Sequence, residues 1–200
     1  NSVPGKFLNE INYQYTMGSV DKPYVIGWTG SATHINDLKQ CVSGLNTLLR
    51  LRPHTRLVFF GTDYSHLLDP SVQSQIRTAP WTKSVDSYLD LLGRAQVDVM
   101  LAPLYPSKFN ASKSNLRIIE ANALGIPVIA TDFGPYSSED YPGVLHVKPG
   151  DSWVPALNAL ANPFTRLEMS TAGRKWAEQN YQMETNCDLW LDAYSSVLDA

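Results

Sequence analysis

The chain has 200 residues, 44% of them hydrophobic and 18% charged, and a formal net charge of -3. That length fits one domain, and a charged share below the roughly 25% of an average domain, with ample apolar residues, calls for a packed core rather than disorder. A slightly acidic chain offers no basic face to nucleic acid, and its apolar runs all fall short of the roughly 18 residues of a membrane-spanning helix.

Residues 1–23 have weak periodicity and carry Pro4, Gly5, Gly18 and Pro23, which reads as a lead-in or linker. The apolar run 24–28 (YVIGW) enters a glycine turn at Thr29-Gly30-Ser31 and reads as a buried strand. Leu38, Cys41, Val42, Leu45, Leu48 and Leu49 follow helical spacing, which predicts one amphipathic helix from about Thr33 or Asn36 to Arg52, stopped by Pro53. Residues 56–61 (RLVFFG) form the next strand. Residues 62–83 read as irregular, with a short strand near 76–78, and Tyr88, Leu89, Leu91, Leu92 and Ala95 mark a short helix. A strand is expected over 97–104, a helix over 114–124 closed by Gly125, and strands over 127–131 and 143–147. Helices over 152–161, 163–180 and 183–198 follow, the last with an apolar stripe of Met183, Cys187, Trp190, Leu191, Tyr194, Val197 and Leu198.

Apolar strands alternating with helices define an α/β fold: a Rossmann-like, doubly wound parallel sheet with helices on both faces, plus C-terminal helices. Ligands in such sheets bind beyond the carboxyl ends of the strands, where the strand order reverses. The search narrows to loops 29–36, 62–66, 77–83, 104–116 and 132–140.

The segment 108–125 (KFNASKSNLRIIEANALG) is the most heavily loaded with polar groups. Ser112 and Ser114 offer hydroxyls for capping, and a helix start leaves free N–H groups with partial positive charge. Lys108, Lys113 and Arg117 cluster there, which is the physical recipe for a phosphate site. Lys113, Arg117 and Glu120 are spaced i, i+4, i+7 on one face, with Glu120 roughly 9 Å from the tip at about 1.5 Å per residue. A diphosphate at the tip puts its ribose at about that distance, where a carboxylate accepts two hydroxyl hydrogen bonds. The alternative is a solvated helix face with an Arg117–Glu120 surface pair. Asn110-Ala111-Ser112 matches the N-glycosylation acceptor pattern, a common chance match. Gly30, Ser31 and Thr33 belong to a glycine turn where a ligand approaches the backbone, although the G-x-x-G spacing lacks the third glycine of a dinucleotide fingerprint. Asp63, after the 56–61 strand, stands where a dehydrogenase holds its ribose, but without that glycine the dehydrogenase reading is poor. His34 sits in the same turn, and the choice there lies between a phosphate contact and an exposed helix-start residue. No H-x-E, H-E-x-x-H, C-x-x-C or G-x-S-x-G pattern occurs, so neither a zinc site nor a hydrolase elbow is expected.

With these motifs in view, residues 97–131 resemble the donor-binding segment of GT-B-fold retaining glycosyltransferases of the group 1 type, which transfer sugars from nucleotide diphosphates. The resemblance covers nearly the whole chain and is most specific over 109–128. Asn1-Ser2-Val3 looks like the hinge after that family's N-terminal domain, residues 26–31 like its first strand and glycine loop, LVFFG at 57–61 like its second strand, and the final helix, 181–200, like its crossover helix. Residues 24–180 are then the nucleotide-sugar-binding domain, the C-terminal half of a GT-B fold. The family often has two glutamates eight positions apart; Glu120 matches the second, which holds the donor ribose, and the first falls on Ser112. Its Arg and Lys diphosphate clamp falls near Ser31 and Asn36, so Lys113 is the expected substitute, helped by Arg117 and the amides of Ser114, Asn115 and Leu116. A subset of the family carries a similar FN-x-SKS segment, which implies a variant clamp. Arg77 and Trp81 resemble the segment that meets the nucleobase, with a surface-loop anchor as the other reading of Trp81.

The resemblance implies an NDP-sugar as donor substrate, retention of configuration, no metal and no further cofactor. Glu120 and Lys113 are the expected catalytic groups. The acceptor site would belong to an N-terminal domain outside these residues, so the isolated chain is expected to bind donor without full activity. Alternatives are a non-catalytic nucleotide-sugar-binding module, part of a GT-B-fold UDP-sugar isomerase, and a receiver-type signalling domain, the last disfavoured because Trp28 and Thr29 stand where acidic residues are needed. Two distant cysteines, Cys41 and Cys187, and no charged-then-apolar leader point to a reduced, cytoplasmic setting, membrane-peripheral at most.

Overall fold

The computed structural model describes residues 2–5 and 22–198, so most of the 1–23 lead-in lies outside the described residues. Six strands form one parallel sheet: β1 (Val25–Gly30), β2 (Arg56–Gly61), β3 (Ile76–Ala79), β4 (Val99–Ala102), β5 (Val128–Thr131) and β6 (Val144–Val147). Their spatial order is β3-β2-β1-β4-β5-β6. Every pairing is parallel, with Gly30 opposite Gly61 and Trp28 opposite Leu101. The order reverses between β1 and β4, which puts the crevice of a doubly wound sheet beyond Gly30 and Ala102.

The helices are α1 (Ile35–Leu38), α2 (Val42–Leu51), α3 (Val85–Arg94), α4 (Lys108–Ala111), α5 (Leu116–Ala123), α6 (Val154–Ala159), α7 (Pro163–Asn180) and α8 (Met183–Leu198). Central strands buried on both sides need uniformly apolar residues, and β1, β4 and β5 are buried throughout. One face packs Ile26, Trp28, Leu57 and Phe59 against Leu45, Leu48, Leu49 of α2 and Leu157 of α6. The other packs Val25, Met100 and Val128 against Leu89 and Leu92 of α3, Ile118 and Ile119 of α5, and Trp176 of α7. At the opposite end of the central strands, Asp98 is buried, accepts the Val25 N–H at 2.8 Å and faces Arg166 at 3.6 Å, which fastens the beginnings of β1 and β4.

Several sequence expectations need correction. The single helix over 33–52 is three pieces: a 3-10 turn at Ala32–His34, then α1, then α2. The break at 39–41 is a tightened turn in which the Gln40 and Cys41 N–H groups bond three residues back and the Cys41 thiol donates to the Leu38 carbonyl. Periodicity missed it because Leu38 and Cys41 stay on the buried face across the break. The strand over 97–104 is cut to four residues, since the Leu104 N–H leaves the ladder and bonds the Thr131 hydroxyl at 2.9 Å. The irregular 62–83 stretch contains two 3-10 segments and the edge strand β3. Helix α5 begins at Leu116, two residues late, and the extra helix α4, capped by Ser107, precedes it. Gly125 does close α5, at φ +67, a left-handed conformation that suits glycine.

Val3 is buried and bridges to Gln182: its N–H donates to the Tyr181 carbonyl at 2.8 Å and the Val3 carbonyl accepts from the Met183 N–H at 3.0 Å. The start of the chain thus lies beside the entry to α8. No helix among the described residues is long and apolar enough to cross a membrane.

Candidate functional site

Three chain segments converge on the crevice: the end of β1 with the turn that follows it, the β4–α5 connection, and the loop after β5. Gly30 closes β1. A Cβ there would sit 2.6 Å from the Trp28 ring and 3.3 Å from Nη2 of Arg117, so only glycine lets the strand end and Arg117 approach so closely. Gly61, its neighbour on β2, has φ +104 and lies under the Trp81 indole, where a Cβ would meet ring atoms at 2.6 Å. Trp81 is 60% exposed, so it covers the ends of β1 and β2 while showing its outer face to solvent.

Glu120 lies one turn into α5, on the same side as Arg117. Burial pushes its carboxyl up to about 7, against the pull of the Arg117 charge and a hydrogen bond from the Tyr88 hydroxyl. Tyr88, on α3, also accepts from Thr29 of β1; burial and the neighbouring Glu120 raise its hydroxyl, which keeps it a donor. Arg117 interacts with the buried Tyr136 hydroxyl on the loop after β5, and its Nη1 is buried with no hydrogen-bond partner among the described residues. Glu120, Arg117, Tyr88, Thr29 and Tyr136 therefore form a half-buried polar cluster between β1 and α5.

Beside this cluster stands a second node centred on Asp37, a buried residue of α1. Its Oδ1 accepts from the Tyr105 N–H and the Asn110 side-chain amide, both at 2.8 Å. Its Oδ2 faces His34 Nδ1 at 2.8 Å and Lys113 Nζ at 3.4 Å. Burial pushes this carboxyl up, but the bonds from His34 and Tyr105, the Lys113 charge and the Asn110 bond together outweigh it and hold it down at about 2. One carboxylate thus ties the turn after β1 to the loop after β4, across the point where the strand order reverses. Lys113 also lies 5.3 Å above the Phe109 ring.

The expected donor-site residues divide accordingly. Gly30, Arg117 and Glu120 come together at the end of β1, and Lys113 belongs to the Asp37 node. Ser31 and Thr33 follow Gly30, their hydroxyls bonded to each other at 2.8 Å, with the Ser31 carbonyl accepting from Tyr64. Lys113 precedes α5 instead of extending its face, since the helix starts only at Leu116. Neither Ser112 nor Ser114 caps α5: the position belongs to Asn115, with no side-chain cap bond, and the Ser112 hydroxyl turns back to the Lys108 carbonyl at 3.2 Å. The Asn115 side chain donates away from the crevice, to Glu139, Tyr141 and Tyr181, at 3.1–3.3 Å. Ser114 and Leu116 are exposed at the start of α5. Arg77 belongs to β3, where its guanidinium donates to the Ser74 and Ile76 carbonyls at 3.1 and 2.7 Å, turned toward the strand's beginning and away from its carboxyl end. The Asn110 acceptor pattern is a chance match, because that side chain is buried and engaged by Asp37 and the Tyr105 carbonyl.

Asp37, Tyr88 and Tyr136 escaped the sequence reading. Asp37 did carry a signal, since it sits four residues before Cys41 on the buried face of the helical pattern, where a lone carboxylate needs partners. Tyr88 and Tyr136 gave none, being aromatic residues at ordinary core positions. No group of three or more potential metal ligands forms among the described residues.

No family model and no curated protein matches the chain. Solved structures do. A glycosyltransferase from Rickettsia africae superposes with TM-score 0.72 at 15% identity, over 99% of this chain and 56% of its own. HepE from Anabaena, solved with UDP and glucose, gives TM-score 0.72 at 14% identity over 98% of this chain and 55% of its own. The C-terminal domain of LpcC from Francisella tularensis, a group 1 family glycosyl transferase, gives TM-score 0.60 at 19% identity over 80% of this chain and 87% of that domain. The chain therefore has the Rossmann-like fold of the C-terminal domain of GT-B glycosyltransferases. It spans just over half the length of the first two of these proteins.

Proposed function

We propose that this chain is the donor-binding half of a metal-independent, retaining glycosyltransferase that uses an NDP-sugar, with its acceptor site on a further, N-terminal domain. The observation that carries the reading is the position of Glu120 and the start of α5, together at the point where the strand order reverses. There the carboxylate accepts the ribose hydroxyls, and the helix start with Lys113 faces the diphosphate. Trp81, over Gly61, offers a ring face to the nucleobase. Arg117 and Lys113 stabilise charge gathering on the diphosphate as the glycosidic bond to the sugar breaks, and such preorganised stabilisation is usually the largest catalytic contribution. Ribose held at Glu120 fixes where the anomeric carbon lies. HepE was solved with UDP, which makes UDP the first ligand to try.

A thermal-shift series with UDP, GDP, ADP, dTDP and CMP tests this. The matching nucleotide at about 100 times its Kd stabilises the chain by roughly 2.7 kcal/mol, a shift of several degrees. Glu120→Ala abolishes that shift. Equal shifts in wild type and variant, or none with any nucleotide, would remove the ribose role from Glu120.

A further inference from the structure

Resting on this donor-site reading, we infer that His34 is a second, proton-carrying ligand of the donor diphosphate, and that Asp37 is the positioning residue that aims it. His34 ends the 3-10 turn directly after β1, beside the crevice. Four donor groups, from Tyr105, Asn110, His34 and Lys113, crowd the two oxygens of Asp37, so that carboxylate acts as an acceptor only. The hydrogen of the 2.8 Å His34–Asp37 contact must then sit on Nδ1. This fixes the imidazole ring and leaves Nε2 as its working atom. Among the described residues, Nε2 makes no hydrogen bond, and the side chain keeps 19% of its surface open. Lys113 Nζ stands 3.4 Å from both Asp37 Oδ2 and His34 Nδ1, so ammonium and imidazole share one anchor.

Charge decides what this anchor does. With His34 neutral, Asp37 and Lys113 cancel and the node offers a diphosphate no net attraction. One proton taken from solvent onto Nε2 gives the node a net positive charge and turns Nε2–H into a donor to a phosphate oxygen. Tyr64, whose hydroxyl bonds the Ser31 carbonyl, and Tyr136, which meets Arg117, also feel the Asp37 charge. None of these supplies a second cation at the turn itself. Donor binding is therefore coupled to proton uptake, and the paired cations come from two different loops.

Isothermal titration of UDP-glucose into the chain tests the coupling, with the GDP-, ADP- and dTDP-glucose analogues tried if it is silent. Their diphosphates are diesters that do not titrate near neutrality. Titrations at about pH 7.5 in two buffers of different ionisation enthalpy count the protons exchanged. Wild type is expected to take up more protons per ligand than His34→Gln, by up to one. Its affinity on the alkaline side is expected to fall by up to about tenfold per pH unit, a fall His34→Gln lacks. Asp37→Asn should lose the same pH dependence. Binding by wild type with the same proton count and pH profile in His34→Gln overturns this inference alone. Binding of none of the four sugar nucleotides overturns it together with the donor-site reading.

Discussion

Glu120 is held in a state that is uncomfortable for a carboxylate. Its pKa rises from 4.5 to about 7 on folding because burial outweighs Arg117 and Tyr88. Between those values the folded chain keeps a proton that the unfolded chain has released. Stability therefore falls as pH rises from about 4.5 to about 7 and is level above that. Allowing for partial exposure, the loss is on the order of 2 kcal/mol. Glu120→Gln, neutral at every pH and still able to accept from Tyr88, should melt several degrees above wild type at about pH 8, with the gap closing by about pH 5. A gap of the same size at both pH values would show that burial of the charge is not its cause. The same substitution should weaken nucleotide binding, the usual exchange of activity for stability at a strained polar site.

Between elements, the tightest fit among the helices joins α5 to α7. Asn122 projects between Gly143 and Gly173, and a Cβ on Gly173 would lie 2.2 Å from Asn122 Oδ1 and 2.9 Å from the Gly143 backbone. Glycine inside a helix normally costs about 1 kcal/mol against alanine, so Gly173→Ala would stabilise α7 if nothing faced it. Here it drives α7 off α5, and we expect a net loss of about 2 kcal/mol or more, seen as a fall in Tm of several degrees. Neither polar atom of the Asn122 side chain has a hydrogen-bond partner among the described residues. Asn122→Ala should therefore recover part of the Gly173→Ala loss in the double variant, and additive effects would show that the two positions do not share this contact.

Elements of this kind differ in how far the sequence discloses them. The central strands were legible because a doubly covered parallel strand must be apolar along its whole length. Edge strand β3 was only half legible, since two of its four residues, Arg77 and Thr78, face solvent. The break before α2 was hidden because its cause is a local turn that leaves the buried face unchanged. In the site, Glu120 could be read from its distance along a helix beginning at a strand end, a relation local in sequence. Asp37 depends on partners 68 and 73 residues away, which no spacing rule reaches.

At the scale of the molecule, the two apolar layers end before α8. Trp176 of α7 is 9% exposed and packs edge-on against Tyr141 at 5.3 Å and beside Tyr181 at 4.8 Å. Trp190 of α8 is 59% exposed and touches Tyr194 of its own helix at 6.4 Å between ring centres. The stripe of Met183, Trp190, Leu191, Tyr194, Val197 and Leu198 has the helical periodicity expected of it, yet every member is exposed. Periodicity reports which side of a helix is apolar, not whether the same domain covers it. The two tryptophans should therefore respond very differently to truncation. Trp176→Ala empties a buried aromatic site and should cost about 3–5 kcal/mol. Trp190→Ala removes surface that folding leaves mostly in water and should change stability by no more than about 0.5 kcal/mol. Denaturant unfolding followed by far-ultraviolet circular dichroism, which does not depend on the removed fluorophore, measures both. A loss at Trp190 comparable to that at Trp176 would mean that α8 belongs to the cooperative core of this chain after all.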